Sequence, residues 1–498
     1  MPENNKIKSD EICAIARGQA VVEARQMLDG DCRVLSAAAV ADVRPSEVFA
    51  GEARYAGKVK FDCLLMCEDG IRAVGAVADF SDKITSSAIS SGLNPFITAE
   101  IANVEATIDG GTLKLVAVVD TNLTAAVHCD CECLSEPEQG IYVERRSIGY
   151  CTVVAEQSET LYLTDSVSNV KLGDKIEILC ATSRAVITSA ECGVDDVKLT
   201  GAVYTAVVAR GADGLACSFK QVTPIVKSVS VPGALPDAIA YADVCVTETV
   251  ATSVSDPEGD RIDLALTVRA DITVAVPNKT DVVCDVFCAD NELETTASEV
   301  RVCLPEPQIT VTDTVDGQIS LDPSKLAADN VLCIEGAFCQ IGSAKIESGR
   351  VNVEGLVGGD IVYYNAENNK TDSISFRLPF SMPLAVHTEA KSVSLCATVT
   401  DVTVKIRRES VFDVKAEVAF TARLYSCDTV SLVQSVKRGE AIARPDATFI
   451  VHIAKPGETL WQAAKALCCS PDRVLEQNDI SAPYSGGEKL INFCTRES

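Results

Sequence analysis

An ordered set of landmarks returns three times along this chain, and a chain with that property builds one unit repeatedly rather than one continuous core. The phrase Val34-Leu35-Ser36 comes back as Ile178-Leu179-Cys180 and again as Val331-Leu332-Cys333. A glycine then opens a strand at Gly57, Gly201 and Gly355, and a turn residue follows at the same offset: Gly70, Gly214 and Asn368. The period is about 150 residues, long enough for each copy to bury most of its own apolar surface.

The second half of each copy reads as a long hairpin. In the second, Ile262, Leu264, Leu266, Val268, Ile272, Val274 and Val276 alternate with Arg261, Asp263, Thr267, Arg269, Asp271 and Thr273. A period of two predicts a strand with one buried face and one wet face. The third copy sets Phe412, Val414, Val418, Phe420 and Leu424 against Asp413, Lys415, Glu417, Thr421 and Arg423; the first gives Leu113, Leu115, Ala117, Val119 and Leu123. Each strand follows a turn: Asp109-Gly110-Gly111, Asp256-Pro257-Glu258-Gly259, or Arg407-Arg408-Glu409-Ser410. Asp-Gly suits a hairpin because both residues reach positive φ readily. The expected class is mainly β: three tandem antiparallel β-rich domains at 1–138, 139–292 and 293–440, then a small βααβ module at 446–498. Breaks are expected near Glu136-Pro137-Glu138, Pro305-Glu306-Pro307 and Arg444-Pro445-Asp446.

Charge narrows the partners. The net charge of −27, from 71 acidic and 44 basic residues, is spread along the chain. Nucleic acids and anionic lipids are held by clustered Lys and Arg, so neither is expected as a partner. No window of about 18 apolar residues exists to span a bilayer. Met1 to Asp10 is polar, without the apolar core of a secretory signal, so a cytoplasmic location is expected. In a reducing compartment most of the 22 cysteines should be thiols.

The tail changes character. A strand from Phe449 to Ile453 runs into Lys455-Pro456-Gly457-Glu458-Thr459-Leu460-Trp461. Thr459 suits an N-cap, and Leu460, Ala463, Ala464 and Leu467 form an apolar stripe at helical spacing. Ser470-Pro471 caps and starts a second helix, Val474 and Leu475 face inward, and Asn478 ends it. Gly487-Glu488-Lys489-Leu490 then leads into a closing strand.

This tail resembles a LysM module, with Glu458 where that family usually carries Asp. The resemblance implies a groove that binds N-acetylglucosamine glycans or a protein partner, formed by Gly457, Glu458, Thr459, Leu460 and Trp461 facing Asn478, Asp479, Ile480 and Ser481. The three repeats resemble the SPOCS domain, through Lys175-Ile176-Glu177-Ile178-Leu179-Cys180, Val186-Ile187-Thr188, Arg350-Val351-Asn352-Val353-Glu354-Gly355 and Leu378-Pro379-Phe380. Tandem SPOCS domains before one LysM are similar to the SipL/SpoVID-like spore coat morphogenetic family. That resemblance implies a mother-cell scaffold at the forespore surface, its LysM module binding a SpoIVA-like ATPase of the coat basement layer. The alternative is a protein whose LysM module holds cortex or wall peptidoglycan.

No catalytic constellation stands out, and no enzyme activity or cofactor is expected. His128, His387 and His452 are each isolated among strand residues. There is no Walker A loop, no H-E-x-x-H and no G-x-S-x-G elbow. The sharpest metal candidate is His128-Cys129-x-Cys131-x-Cys133, but on a strand the three thiols share one face and His128 points away. Cys63 with Cys67 and Cys284 with Cys288 also continue apolar faces. Small buried side chains explain these cysteines better than a metal does; late oxidative cross-linking is the remaining reading. Trp461, the only tryptophan, is expected to pack within its own module, with an edge open to partner or glycan.

Overall fold

The computed structural model describes residues 4–68, 70–168, 176–211, 214, 216–256, 259–322, 325, 327–408, 410–442, 448–479 and 482–493. Among these the chain is mainly β, with antiparallel pairing throughout and two short helices near the C-terminus. Among the described residues no helix is long and apolar enough to cross a membrane.

One pairing scheme recurs three times. In the first unit β2 (Cys32–Phe49), β3 (Glu52–Cys67) and β4 (Gly70–Thr85) form a meander, while β5 (Phe96–Asp109), β6 (Thr112–Leu134) and β1 (Asn4–Met27) form a second sheet. In the second unit β8 (Glu177–Cys192), β9 (Asp196–Arg210) and β10 (Ala216–Ser230) make the meander, and β11 (Ile239–Asp256), β12 (Gly259–Cys288) and β7 (Ile141–Val167) the other sheet. In the third unit β15 (Asn330–Glu347), β16 (Arg350–Asn365) and β17 (Lys370–His387) make the meander. There β19 (Val411–Ala441) pairs with β18 (Ser392–Arg408) on one side and with β13 (Asn291–Pro305) and β14 (Ile309–Ser320) on the other. Pro305-Glu306-Pro307 therefore does not separate units. It breaks one long edge partner into two, as prolines without an N–H can at a sheet edge.

The two sheets of each unit sandwich an aliphatic core. Val59, Phe61, Leu113 and Leu115 fill the first, Val203, Ile225, Val268 and Ile272 the second, and Val353, Ile361, Phe412 and Val418 the third. The repeated phrase has a structural cause. A β-bulge falls at Leu35, Leu179 and Leu332, where the register jumps between Val34 and Ser36, Ile178 and Cys180, and Val331 and Cys333. A bulge turns the strand, and it sends the start of each meander toward its neighbours. There Leu35, Leu64 and Ile71 meet Cys180, Val208 and Ala216, and Leu332, Cys333 and Val362, in one apolar cluster. Equivalent positions of all three units thus converge, which arranges the units around a common centre line.

A second meeting point lies at the far ends of the long strands. Ile7, Cys131 and Cys133 of the first unit join Ile148 and Val282 of the second and Val300, Val302, Val430 and Leu432 of the third in one apolar cluster, the stalk.

The seams explain a departure from the simple alternating pattern. Arg269, Asp271 and Thr273 were expected on a wet face; all three are buried. Arg269 meets the first unit, pairing with Asp42 and donating to the Val43 carbonyl at 3.1 Å, and in turn pairs with Asp271, which also accepts from Ser158. Other side chains reach edge-strand carbonyls in the same way: Arg184 to Ala337, Thr310 to Ile187, Lys220 to Val402 and Arg210 to Ile71. Unpaired strand edges template aggregation; here the edges of β2, β4, β8, β15 and β18 each meet a polar side chain of an adjoining unit.

Among the described residues two cysteine pairs form disulfides, Cys32 with Cys67 and Cys303 with Cys427, each joining directly opposed residues of paired strands. For Cys67 this replaces the reading as a simple buried thiol. Its strand partner Cys32 stands opposite, a pairing that is visible only once register is known.

Candidate functional site

The C-terminal module runs β20 (Phe449–Ile453), α1 (Leu460–Leu467), α2 (Pro471–Gln477), β21 (Lys489–Phe493). Thr459 caps α1: its hydroxyl accepts from the Gln462 amide at 3.2 Å while the Thr459 amide donates to Gln462 Oε1 at 3.0 Å. This reciprocal box satisfies two of the orphan donors at the helix start. Ser470 caps α2 by accepting from the Arg473 amide at 3.1 Å, with Pro471 in the first turn. Ala463, Ala464, Leu467, Val474 and Leu490 fill the small core, whereas Leu475, expected inward, is 47% exposed. With only seven residues, about two turns, α2 places just Val474 in the core, so its short apolar pair left the inward side open.

The residues of the expected groove are largely occupied in holding the module together. Glu458 is buried; its Oε1 lies 2.7 Å from His452 Nε2 and its Oε2 accepts from the Lys455 amide at 2.6 Å. The Lys455 amide, and then His452, hold this carboxyl below its ordinary range. Gly457, at φ 77°, donates to the Tyr484 carbonyl at 2.8 Å, and the Tyr484 amide donates to the Glu458 carbonyl at 3.2 Å. Asn478 uses its amide nitrogen on the Val474 and Ile491 carbonyls and its oxygen on the Ile491 amide, at 2.7–2.9 Å. The two halves of the groove are therefore tied to Tyr484 and to Ile491, not to each other. Gly457, Thr459 and Asp479 remain exposed and Leu460 half-buried; Ile480 and Ser481 lie outside the described residues.

Trp461 differs from expectation in a way that matters. It is 8% exposed, but its ring lies edge-on to Phe287 of the second unit, with centroids 4.9 Å apart. Tyr142 stacks behind Phe287 at 5.0 Å. The indole Nε1 donates to Asp285 Oδ2 at 2.8 Å, and Lys465, one helical turn on, donates to both oxygens of the same carboxylate at 3.0 and 2.7 Å. Burial raises the Asp285 carboxyl, but the Lys465 and Trp461 hydrogen bonds outweigh it and hold the group below its usual range. Trp461 is thus the anchor of the module on the repeat body rather than an interior residue of the module alone. Its partners Tyr142, Asp285 and Phe287 escaped the sequence reading. One trace was there: Val286, Phe287 and Cys288 are three apolar residues in a row, all buried, where a strand with a wet face would alternate.

Elsewhere, His128 Nδ1 lies 2.7 Å from the buried Asp10 carboxylate, away from the stalk thiols, as strand alternation requires. Cys129 and Cys131 approach to 3.4 Å between sulphurs, with Cys131 and Cys133 inside the apolar stalk. Burial, with Cys129 beside it, pushes the Cys131 thiol up to about 12. Among the described residues only Glu11, Cys303 and Cys427 bring three metal-ligating atoms together, all within 4.8 Å. Comparisons with protein-family models, with curated proteins and with solved structures found no match.

Proposed function

We propose that this chain is a non-enzymatic scaffold of spore-envelope assembly: three SPOCS-like units form a rigid body that carries a LysM-like module as the contact for a coat morphogenetic partner. The observation that carries the reading is the fixed docking of the module. Trp461 and Lys465 on Asp285, with Phe287 and Tyr142 behind, hold α1 against the body, while Gly457, Thr459 and Asp479 stay at the surface. A scaffold needs a rigid body and a contact held at a fixed place on it, and the covered seams between units supply the rigidity. The partner implied is the ATPase of the coat basement layer, met at the forespore surface in the mother cell.

The groove chemistry favours a protein over a sugar. Glu458 and Asn478, the polar residues best suited to hydrogen-bond a glycan, already have their acceptors and donors satisfied within the module. The test is capture of the purified ATPase by the full chain, beside calorimetric titration with chitin oligomers and muropeptides. Asp479→Lys, at an exposed position, should weaken ATPase capture by tenfold or more while leaving the thermal transition in place. Saturable sugar binding without ATPase capture would replace this proposal with a peptidoglycan-binding function.

A further inference from the structure

Glu11, Cys303 and Cys427 meet where the stalk joins the body, and they come from two different units. Cys303 on β13 stands directly opposite Cys427 on β19, so both sulphurs leave the sheet on one face and are joined as a disulfide. Glu11 reaches them from β1 of the first unit, with all three ligand atoms within 4.8 Å. Cys303 is buried, and Cys427 and Glu11 are half-buried, so the site is shielded yet reachable.

We propose that, when its two cysteines are reduced, this cluster is a zinc site: Cys303 and Cys427 supply two thiolates, Glu11 a carboxylate, and water the fourth position. The donor set is one that zinc accepts, at about 2.3 Å to sulphur and 2.0–2.2 Å to oxygen. Opening the S–S bond gives the sulphurs room to move apart around an ion. Charge also fits. Two thiolates, one carboxylate and Zn²⁺ sum to one negative charge, and Arg301, 3.0 Å from Glu11, lies in place to neutralise it. The stalk thiols Cys129, Cys131 and Cys133 show the contrast: they share an apolar cluster with Val and Ile residues, and among the described residues they bring no three ligand atoms within 4.8 Å of one another.

Both states clamp the first unit to the third differently. As the disulfide, the pair ties β13 to β19 within the third unit, and Glu11 is held through Arg301. As the zinc complex, Glu11 itself becomes a ligand and the bond crosses the seam. Interconversion is a thiol–disulfide exchange with a low-molecular-weight disulfide: Zn(S-Cys)₂ plus R–S–S–R plus two protons gives the Cys303–Cys427 disulfide, two R–SH and free Zn²⁺. Two electrons pass from the cysteine sulphurs to the external disulfide, and the two protons end on its thiols.

The test uses the full chain, reduced with a phosphine under nitrogen and titrated with Co²⁺ and then Zn²⁺. Tetrahedral thiolate–cobalt bands in the visible, displaced by one equivalent of zinc, are expected. Cys303→Ser with Cys427→Ser should remove that equivalent, Glu11→Gln should weaken it by tenfold or more, and Cys129→Ser with Cys131→Ser should leave it intact. Adding glutathione disulfide should release the zinc and yield a Cys303–Cys427 linked peptide on mapping. The proposal is overturned if the reduced chain takes up no tetrahedral metal. It is equally overturned if the metal survives loss of Cys303 and Cys427, or if zinc leaves without that linkage forming. Circular dichroism of each variant separates a lost site from a lost fold.

Discussion

At Gly201 a Cβ would lie 2.1 Å from the Val186 carbonyl oxygen and 2.9 Å from Ile187 Cα, both backbone atoms that cannot swing aside. The equivalent Gly57 and Gly355 meet the Asp42 and Gln340 carbonyls at 2.6 and 2.4 Å, so the thrice-repeated glycine marks one close approach of neighbouring strands. Gly201→Ala should therefore lower stability by about 2 kcal/mol or more, read as the urea midpoint. Gly75→Ala on β4, whose nearest neighbours stand at 3.7 Å, should stay within about 0.5 kcal/mol. Glu335 is a buried carboxyl at a meeting of three units. It is 5% exposed on β15, and burial pushes its carboxyl up to about 7. Arg184 of the second unit pulls it down, Asp62 of the first unit and Asp360 push it up, and the Cys180 thiol hydrogen-bonds to it. Between its ordinary 4.5 and about 7, the folded chain keeps a proton there that the unfolded chain has lost. Folding takes up that proton, so the contribution is complete below pH 4.5 and is lost as pH rises to about 7, by up to about 3 kcal/mol. Glu335→Gln should flatten the stability curve across this window and stabilise the chain at pH 8. Parallel pH curves for the two proteins would contradict that assignment.

At the scale of elements, α1 carries the attachment of the whole C-terminal module. Its first turn presents Trp461 and its last turn Lys465, and both end on the Asp285 carboxylate. A hydrogen bond to a charged group contributes about 1.5–3 kcal/mol, so Asp285→Ala should release the helix without unfolding the module, whose own core of Ala463, Ala464, Leu467 and Leu490 is untouched. Because Trp461 is the only tryptophan, its emission should shift to the red as the ring leaves Phe287 for water. An unshifted spectrum in Asp285→Ala would show that the ring contact alone holds the module. The long hairpins teach a complementary lesson. Leu113, Leu115, Val268, Ile272, Phe412 and Val418 are all essentially inaccessible, as their alternation predicted. Arg269 and Asp271 lie on the opposite face of the same ladder and are buried too, because a second unit lies against them.

For the whole molecule, the seams decide which strand edges meet another unit. The edges of β2, β8 and β15 are covered by Arg269, Thr310 and Arg184 of adjoining units, and the bulged strand starts share one cluster. An excised second unit, residues 139–292, would uncover the β8 edge that Thr310 meets, together with Cys180 and Val208. It should self-associate in sedimentation experiments at concentrations where the intact chain stays monodisperse. A well-behaved monomeric fragment would mean that the seams add little beyond proximity.

What could be read from residues alone were properties set by neighbours along the chain. Period-two alternation declares a strand and its core face, Asp109-Gly110-Gly111 declares a turn, and Thr459 or Ser470 with Pro471 declares a helix start, because each depends on contacts a few residues apart. The module's β-α-α-β order was legible for the same reason. Tertiary structure alone decided the rest. That Leu35 and its two counterparts meet, that Trp461 reaches Asp285, that Arg269 is buried and that Glu11 stands beside Cys303 and Cys427 all join residues from different units. Strand alternation says which way a side chain points and nothing about what arrives to meet it; that is set by the bulges and seams that bring the three units together.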